Sequence, residues 1–291
     1  MTTPVVDLRR TTRIAFMGGA YGNLPALDAC LRDARAARAE ALCFLGDSIG
    51  CCGHSDEVVD RIEAEFTVLV AGNHEQEAFA GSQSCGCGYA DAEDERISCI
   101  AFNNAVAGLS ADRRARLGRW PNEVVLETAC GRVLLCHGSP SQTNELLYEV
   151  DLDDEKIGRW LAARDLQGFV CTHSGLPFAR FVGTGGFAVN CGVVGKPDHD
   201  GDTAVHYALL TMTPMKRGCA VIVDIKRVTY DHRAWAAQLR REGIDDMFVS
   251  PIESGCWTSG VTSLPAVERQ RPERPHTSRA SSRPAIRPPN A

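Results

Sequence analysis

Four short apolar segments of the sequence each run directly into a loop that carries polar, chemically reactive side chains. The segments are rich in β-branched and other apolar residues, which is typical of buried strands. They cover residues 41–45, 66–70, 132–136 and 169–171, and the loops that follow read Gly46-Asp47, Gly72-Asn73-His74-Glu75, His137-Gly138 and Thr172-His173. Because ligands bind beyond the carboxyl ends of the strands in open α/β sheets, we expect these loops to meet in one pocket.

The side chains that these loops collect are a mixed set of oxygen, nitrogen and sulfur donors. The candidates are Asp47, Asn73, His137, Cys171 and His173. Such a set suits a divalent metal of borderline softness, namely zinc, iron or manganese, better than calcium or magnesium, which prefer oxygen ligands. The sequence therefore predicts a metal site.

The order and spacing of these motifs resemble the calcineurin-like metallophosphoesterases, in particular their compact bacterial phosphodiesterase and phosphatase branch. Three of the family's five blocks stand intact as Gly46-Asp47, Gly72-Asn73-His74-Glu75 and His137-Gly138, and the resemblance covers about residues 12–243. One block alone would be a weak signal, but the ordered set is a strong one. The resemblance implies one α/β domain over residues 12–250, folded as a four-layer α/β/β/α sandwich.

Two blocks depart from the family pattern. Gly19 and Tyr21 stand where the first block has its aspartate and histidine, and Cys171 stands where the last block has its first histidine. Tyr21 could replace a ligand only as a phenolate, which requires a pKa well below the ordinary value of about 10. Asn23 and Glu75, which flank these blocks, are further candidates for substrate contact or for an altered ligand.

The resemblance also implies how the remaining ligands are shared between one or two divalent ions. The first ion would keep only Asp47 and His173. The second would keep Asp47 as a bridging ligand, together with the three residues Asn73, His137 and, as a thiolate, Cys171. A thiolate ligand would favour zinc or iron at the second position.

The expected function is metal-dependent hydrolysis of a phosphomonoester or phosphodiester. Two metal ions can generate a nucleophile near neutral pH and clamp the phosphoryl oxygens, and His74 would protonate the leaving oxygen. The alternative is a catalytically inactive relative that binds metal or nucleotide as a sensor or scaffold. The loss of two ligands at the first position leaves both readings open, since metal affinity depends on ligands that act together.

Length and charge restrict the partners. A chain of 291 residues is long enough to bury a sizeable core as one domain. It begins without a continuous apolar leader segment and shows no apolar run of membrane-spanning length, so we expect a soluble cytoplasmic protein. The net charge is −6, which does not favour binding of long nucleic acids. A small phosphate ester is the expected partner, and the sequence does not indicate the oligomeric state.

Thirteen cysteines are expected to be mainly free thiols, and Cys30, Cys43, Cys99, Cys136 and Cys219 fall at apolar positions where cysteine packs as a small hydrophobic residue. Two cysteine-bearing loops, at residues 51–54 and 81–90, are candidates for a contribution to the site, the second as a lid. Residues 231–243 are predicted to form the final helix. The Pro, Arg and Ser content of residues 265–291 predicts a disordered tail.

Overall fold

The computed structural model describes residues 3–183, 185–215, 218–273 and 285–286. Twelve strands among these residues form two six-stranded sheets. One sheet has the order β1-β5-β6-β7-β9-β8 and comprises Val5–Leu8 (β1), Glu123–Thr128 (β5), Gly131–Cys136 (β6), Gly168–Cys171 (β7), Phe178–Phe181 (β8) and Phe187–Asn190 (β9). The other has the order β12-β11-β10-β2-β3-β4 and comprises Arg13–Met17 (β2), Ala41–Phe44 (β3), Val68–Leu69 (β4), Val205–Pro214 (β10), Cys219–Val228 (β11) and Ala285–Ile286 (β12).

The helices lie on the outer faces of the two sheets and at the ends of the strands. Their bounds are Leu24–Ala36 (α1), Ser55–Glu65 (α2), Asn73–Ala80 (α3), Ala92–Ala107 (α4), Ala111–Leu117 (α5), Asp154–Ala163 (α6), His232–Arg241 (α7), Asp246–Ser254 (α8) and Ala266–Arg269 (α9). No helix in the described part of the chain is long and apolar enough to cross a bilayer.

Alternation along the strands divides the interior into layers. In β2, Ile14 and Phe16 point between the two sheets, whereas Ala15 and Met17 point toward α1 and α2. In β7, Val170 points between the sheets, and Phe169 packs with Ile157 of α6. Because successive side chains of a strand face opposite sides, each sheet buries both faces. The predicted four-layer α/β/β/α sandwich is confirmed.

Local sequence signals explain where the first crossover begins. Asn23 caps α1, since its side-chain oxygen accepts a hydrogen bond from the Ala26 amide at 3.2 Å, and Pro25 lies in the first turn. Pro is tolerated there because its missing N–H has no partner within the helix. The helix then returns the chain so that β3 pairs in parallel with β2.

The fold extends further along the chain than the sequence indicates. Helix α7 is not the last helix: α8 packs against it through Val249 and Ile252. Residues 266–273, expected to be disordered, instead form α9 and a short 3-10 turn in which Arg271 forms an ion pair with buried Asp198 at 2.6 Å. The rest of the predicted tail, apart from β12, lies outside the described residues.

One cysteine assignment also changes. Cys219, expected to be a free core thiol, forms a disulfide with Cys130, with the two Cα atoms 5.4 Å apart. Cys130 lies in the turn between β5 and β6, and Cys219 begins β11, so the bond joins the two sheets. The other eleven cysteines are free, and Cys30, Cys43 and Cys136 are buried as predicted.

Candidate metal centre

Loops from both sheets meet at the carboxyl ends of four strands. Asp47 follows β3 and Asn73 begins α3 after β4, in one sheet, whereas His137 follows β6 and His173 follows β7, in the other. These four side chains are almost completely buried, with between 0% and 8% of their surface exposed. The loops that the sequence predicts to share a pocket are therefore brought together.

Three ligand atoms converge within this group. The Asp47 carboxylate lies 3.3 Å from Nε2 of His137, and that nitrogen lies 3.0 Å from Nδ1 of His173. All three candidate ligand atoms fall within 4.8 Å of one another. Such spacings match the ligands of one cation with metal–ligand bonds of about 2.0–2.2 Å.

The tautomers of the two histidines fit metal binding. Nδ1 of His137 donates to the Leu45 carbonyl at 2.6 Å, and Nε2 of His173 donates to the Cys87 carbonyl at 3.1 Å. A carbonyl oxygen only accepts, so the protons are assigned to these two nitrogens. When both rings are neutral, the remaining nitrogens face each other as lone pairs, an arrangement that a cation between them would stabilise. A metal ion would then take the place of the proton that the raised pKa of His137 favours. Hydrogen bonds of this kind orient metal-bound histidines.

Asn73 supplies a further donor atom. Its amide nitrogen donates to the Cys85 carbonyl at 2.8 Å, whereas its amide oxygen is buried without a hydrogen-bond partner among the described residues. An unpaired buried oxygen costs free energy unless another group satisfies it. The residues present therefore fit a divalent ion held by Asp47, Asn73, His137 and His173.

The charge states also suit metal ligands. Burial opposes ionisation of Asp47, but the positive charges of protonated His137 and His74 outweigh it and lower the pKa of this carboxyl. Burial, and then the proximity of His137, lowers the pKa of His173 to about 3. At neutral pH Asp47 is a carboxylate and His173 is a neutral imidazole, which are the forms that bind metals.

Comparison with known proteins places the chain in a family. The model of the calcineurin-like phosphoesterases matches residues 12–207. The chain belongs to the calcineurin-like phosphoesterase family. This family comprises metal-dependent phosphoester hydrolases that bind divalent metals.

Two of the solved structures that resemble this chain share its fold. The metallophosphoesterase from Sphaerobacter thermophilus is 23% identical, with a TM-score of 0.63 over 84% of this chain and 99% of that chain. A hypothetical protein from Pyrococcus horikoshii is 15% identical, with a TM-score of 0.65 over the same shares of the two chains. No curated protein matches the chain in sequence.

In this chain, an apolar contact occupies the position of the family's first block. Gly19 has a φ of +56°, and a Cβ atom added there would lie 2.4 Å from a methyl carbon of Val193. Val193 therefore closes the space in which a longer side chain at position 19 would lie. Burial raises the pKa of Tyr21 well above its ordinary value, so without a bound ion its side chain is a neutral phenol at neutral pH.

Asn23 and Glu75 hold loops together instead of facing the pocket. The side-chain nitrogen of Asn23 donates to the Gly195 carbonyl and to the Tyr230 hydroxyl, both at 2.9 Å. Glu75 accepts four hydrogen bonds of 2.6–2.8 Å, from the amides of Asp47, Ser48 and Gly72 and from the Ser48 hydroxyl. Neither residue retains a free group for a ligand or substrate, so their predicted role is corrected to a structural one.

Cys171 is not brought to the metal centre. It is the last residue of β7 and shares the outer face of that strand with Phe169, so its side chain is fully buried in the apolar cluster against α6. Burial raises the pKa of its thiol well above the ordinary value. This placement removes Cys171 from the candidate ligands, and the alternation of side chains along a strand is the signal that could have shown it.

His74 faces the pocket beside the ligands. Its Nδ1 donates to the Ile49 carbonyl at 2.8 Å, and its main-chain amide donates to the Asp47 carboxylate at 3.2 Å. Burial would lower the pKa of His74, but the Asp47 carboxylate raises it above the ordinary value. Nε2 of His74 lies 3.5 Å from the sulfur of Cys87.

The pocket includes residues that the motifs did not single out. Lys196 places its ammonium nitrogen 3.8 Å from the centre of the Trp257 ring and 5.9 Å from that of Tyr21. Apolar residues of α8, including Phe248 and Ile252, form the opposite wall. Trp257 lies in the segment after α8, where the sequence shows no catalytic motif, so only the folded chain places it in the pocket.

Proposed function

We propose that the protein hydrolyses small phosphate esters, either monoesters or diesters, at a site that binds one divalent ion. The observation that carries this proposal is the convergence of Asp47, His137 and His173, together with a buried, unpaired amide oxygen on Asn73. The rebuilt first block, where Gly19 packs against Val193, supports one ion in place of two.

Lys196 supplies a positive charge in this pocket. The contacts found for its ammonium group in the described part of the chain are aromatic rings, which leave its N–H donors available to an anion. A cation beside a transferring phosphoryl group stabilises the negative charge that develops on the phosphoryl oxygens. We therefore assign to Lys196 the contact with phosphate that a second metal ion would otherwise make.

His74 is the candidate general acid. Its Nδ1 is tied to the Ile49 carbonyl, so Nε2 is the nitrogen that faces the pocket. The raised pKa of His74 favours the protonated form, which can donate a proton to the leaving oxygen. A bound divalent ion supplies Lewis acidity toward a phosphoryl oxygen.

The lining of the pocket indicates which kind of ester could bind, and the cysteine content indicates the compartment. Phe248, Ile252 and Trp257 offer apolar contact, which suits an ester with an aromatic or other apolar leaving group. The partner is then a small molecule, and neither a membrane nor a long nucleic acid is required. Eleven of the thirteen cysteines are free, which favours a reducing compartment such as the cytoplasm, although the Cys130–Cys219 disulfide is unusual there.

The test is hydrolysis of an aryl phosphate monoester and an aryl phosphate diester by protein purified without a metal-affinity tag. Activity should require added zinc, iron or manganese and should be lost in Asp47→Ala and His137→Ala. His74→Ala should lower kcat by about 10²–10⁴-fold while metal still binds. Lys196→Met should lower kcat/KM more than Lys196→Arg, since arginine keeps the charge.

The inactive alternative predicts a different outcome. The loss of the first-block ligands at Gly19 and Tyr21 is the observation that favours it. In that case no metal restores turnover, although a metal or nucleotide still raises the melting temperature. Turnover that persists undiminished in both Asp47→Ala and His137→Ala would contradict the hydrolase proposal as well as this alternative.

A further inference from the structure

A second group of metal-ligating side chains lies outside the catalytic centre. Cys85, in the loop between α3 and α4, faces Glu95 and Cys99 on α4, and their candidate ligand atoms lie within 4.8 Å of one another. The motifs that define the metal centre do not include any of these three residues. A carboxylate with two thiols within contact distance is a ligand set that suits zinc or another thiophilic ion.

The distances within this group match those around a tetrahedral zinc ion. With zinc–sulfur bonds of about 2.3 Å and a zinc–oxygen bond of about 2.0–2.2 Å, tetrahedral angles separate two sulfurs by about 3.8 Å and sulfur from oxygen by about 3.5–3.7 Å. The two sulfurs of Cys85 and Cys99 are 3.8 Å apart. One carboxylate oxygen of Glu95 lies 3.6 Å from the sulfur of Cys85 and 3.9 Å from that of Cys99.

Main-chain amides point at both sulfurs. The amide of Cys87 donates to the sulfur of Cys85 at 3.3 Å, and the amide of Cys85 donates to the sulfur of Cys99 at 3.4 Å. Hydrogen bonds to a charged acceptor are stronger than those to a neutral one, so these amides favour thiolates, the form that binds metal. The amide of Tyr89 donates to the second oxygen of Glu95 at 3.3 Å, which leaves the first oxygen facing the sulfurs.

We propose that Cys85, Glu95 and Cys99 bind a zinc-class divalent ion, with water or an external donor as the fourth ligand. Binding displaces the two thiol protons to solvent, forms two metal–sulfur bonds and one metal–oxygen bond, and changes no oxidation state. Glu95 and Cys99 are only partly buried, so an ion can reach the site from solvent. This proposal does not rest on the proposed hydrolase activity, because none of the three ligands belongs to the candidate metal centre.

An ion at this position would also fix the loop that orients the catalytic ligands. The Cys85 carbonyl accepts from the Asn73 amide, and the Cys87 carbonyl accepts from Nε2 of His173. The loop therefore contacts two ligands of the catalytic centre through its main chain, while the side chain of Cys85 faces α4. Zinc at the cysteine site should hold Asn73 and His173 in place.

The test uses cobalt as a spectroscopic substitute for zinc in the full chain. Thiolate ligands give Co²⁺ an intense charge-transfer absorption in the near ultraviolet, which histidine and carboxylate ligands do not. We expect this absorption in the wild-type protein and in Asp47→Ala, and its loss in the double variant Cys85→Ser and Cys99→Ser. Cys256→Ser, which removes a partly exposed thiol elsewhere, is the matched control and should keep the absorption.

Elemental analysis and a milder variant complete the test. The double cysteine variant should contain about one zinc fewer per chain than the wild type, as expected for removal of the thiolate ligands of a zinc site. Glu95→Gln keeps both thiols and should bind zinc about tenfold more weakly, since metal affinity depends on ligands that act together. This variant tests the site even if the double cysteine variant does not fold. A Cys85–Cys99 disulfide in protein purified under reducing conditions, or equal zinc content in all variants, would overturn the proposal.

Discussion

The buried side chain of Glu75 fixes the relative positions of two loops of the candidate metal centre. Its two oxygens accept hydrogen bonds from both the loop after β3 and the start of α3. The Asp47 carboxylate is thereby fixed relative to Asn73, although Glu75 itself contacts no candidate ligand atom. A buried carboxylate of this kind is stabilised only while its donors remain in place.

Glu75→Gln should lower the free energy of unfolding by about 3 kcal/mol, because the amide group would turn a donor toward main-chain N–H donors. Metal affinity should fall at the same time, since Asp47 loses its support. Urea unfolding and metal titration measure the two effects. Glu77→Gln, on the same helix but only partly buried, should change the stability by less than about 0.5 kcal/mol. Equal effects of the two variants would contradict the role given to Glu75.

A second prediction concerns the contact between Gly19 and Val193. A side chain at Gly19 would meet Val193 at 2.4 Å in a left-handed backbone conformation, so Gly19→Ala should be destabilising. Val193→Ala should relieve part of this cost. A double-mutant cycle measured by urea unfolding should give a coupling of about 1 kcal/mol or more. Strictly additive effects would show that Val193 does not occupy the space beside Gly19.

The sequence predicted most of the candidate metal ligands, because each of them follows the end of a strand. Asp47, Asn73, His137 and His173 come together as the sequence suggests. Cys171 does not, since a residue inside a strand has its direction set by the pleat, and this one points toward α6. Lys196 reaches the pocket through contacts with the distant residues Tyr21 and Trp257, which spacing along the chain does not reveal. Cys85, Glu95 and Cys99 are close in sequence, but they converge only because the loop before α4 folds back on that helix.

At the scale of elements, most helices and strands follow from periodicity and capping residues, but α8 does not. Pro251 lies inside this helix and argues against it in the sequence. In the structure, the carbonyl of Met247, which a proline nitrogen cannot bond, accepts a hydrogen bond from the Thr258 hydroxyl at 2.6 Å. A side chain beyond the helix therefore satisfies the group that the proline leaves free.

Helices α2 and α5 are joined by an ion-pair network whose stability depends on pH. Arg113, and then Arg116, lowers the pKa of Asp60 from 3.8 to about 2. A depressed pKa in the folded state adds stability above the unfolded value and loses it as pH falls through the folded value. The contribution is therefore complete above about pH 4 and lost toward about pH 2.

Asp60→Asn should destabilise the protein at neutral pH by about 1 kcal/mol or less, because the carboxylate is 42% exposed and solvent screens the pairs. The difference from wild type should stay constant between about pH 7 and 5 and shrink near pH 3. Urea unfolding at each pH measures it. Glu57→Gln, exposed on the same helix, is the control. A difference that does not shrink in acid would refute the assignment to ionised Asp60.

For the whole molecule, the architecture follows from the sequence more completely than the site does. Helix-separated parallel strands from β2 to β4 give way to hairpins such as β10 with β11, and this progression predicts two packed sheets. Each sheet is buried on both faces, so short apolar segments in the sequence are enough to indicate its strands. The segments after residue 243 are the exception, since some of their packing partners, such as Cys52 for α8, lie far away in the sequence.

Because the candidate metal ligands come from both sheets, metal binding should stabilise the whole fold. Manganese at about 100 times its dissociation constant should add about 2.7 kcal/mol to the free energy of unfolding. Thermal unfolding should then shift upward by several degrees in wild type. The shift should be absent in His137→Ala and retained in the Cys85→Ser and Cys99→Ser double variant, because manganese binds thiolates poorly. A shift that vanished only in the cysteine variant would contradict this assignment.

The carbonyls that receive hydrogen bonds from the site have an evolutionary consequence. His74, His137, His173 and Asn73 are each oriented by a peptide oxygen, from Ile49, Leu45, Cys87 and Cys85 respectively. Every amino acid carries that oxygen, so a change of side chain at Ile49, Leu45 or Cys87 leaves the acceptor itself in place. Homologues could therefore acquire new surroundings for the same centre, as long as the backbone path is preserved.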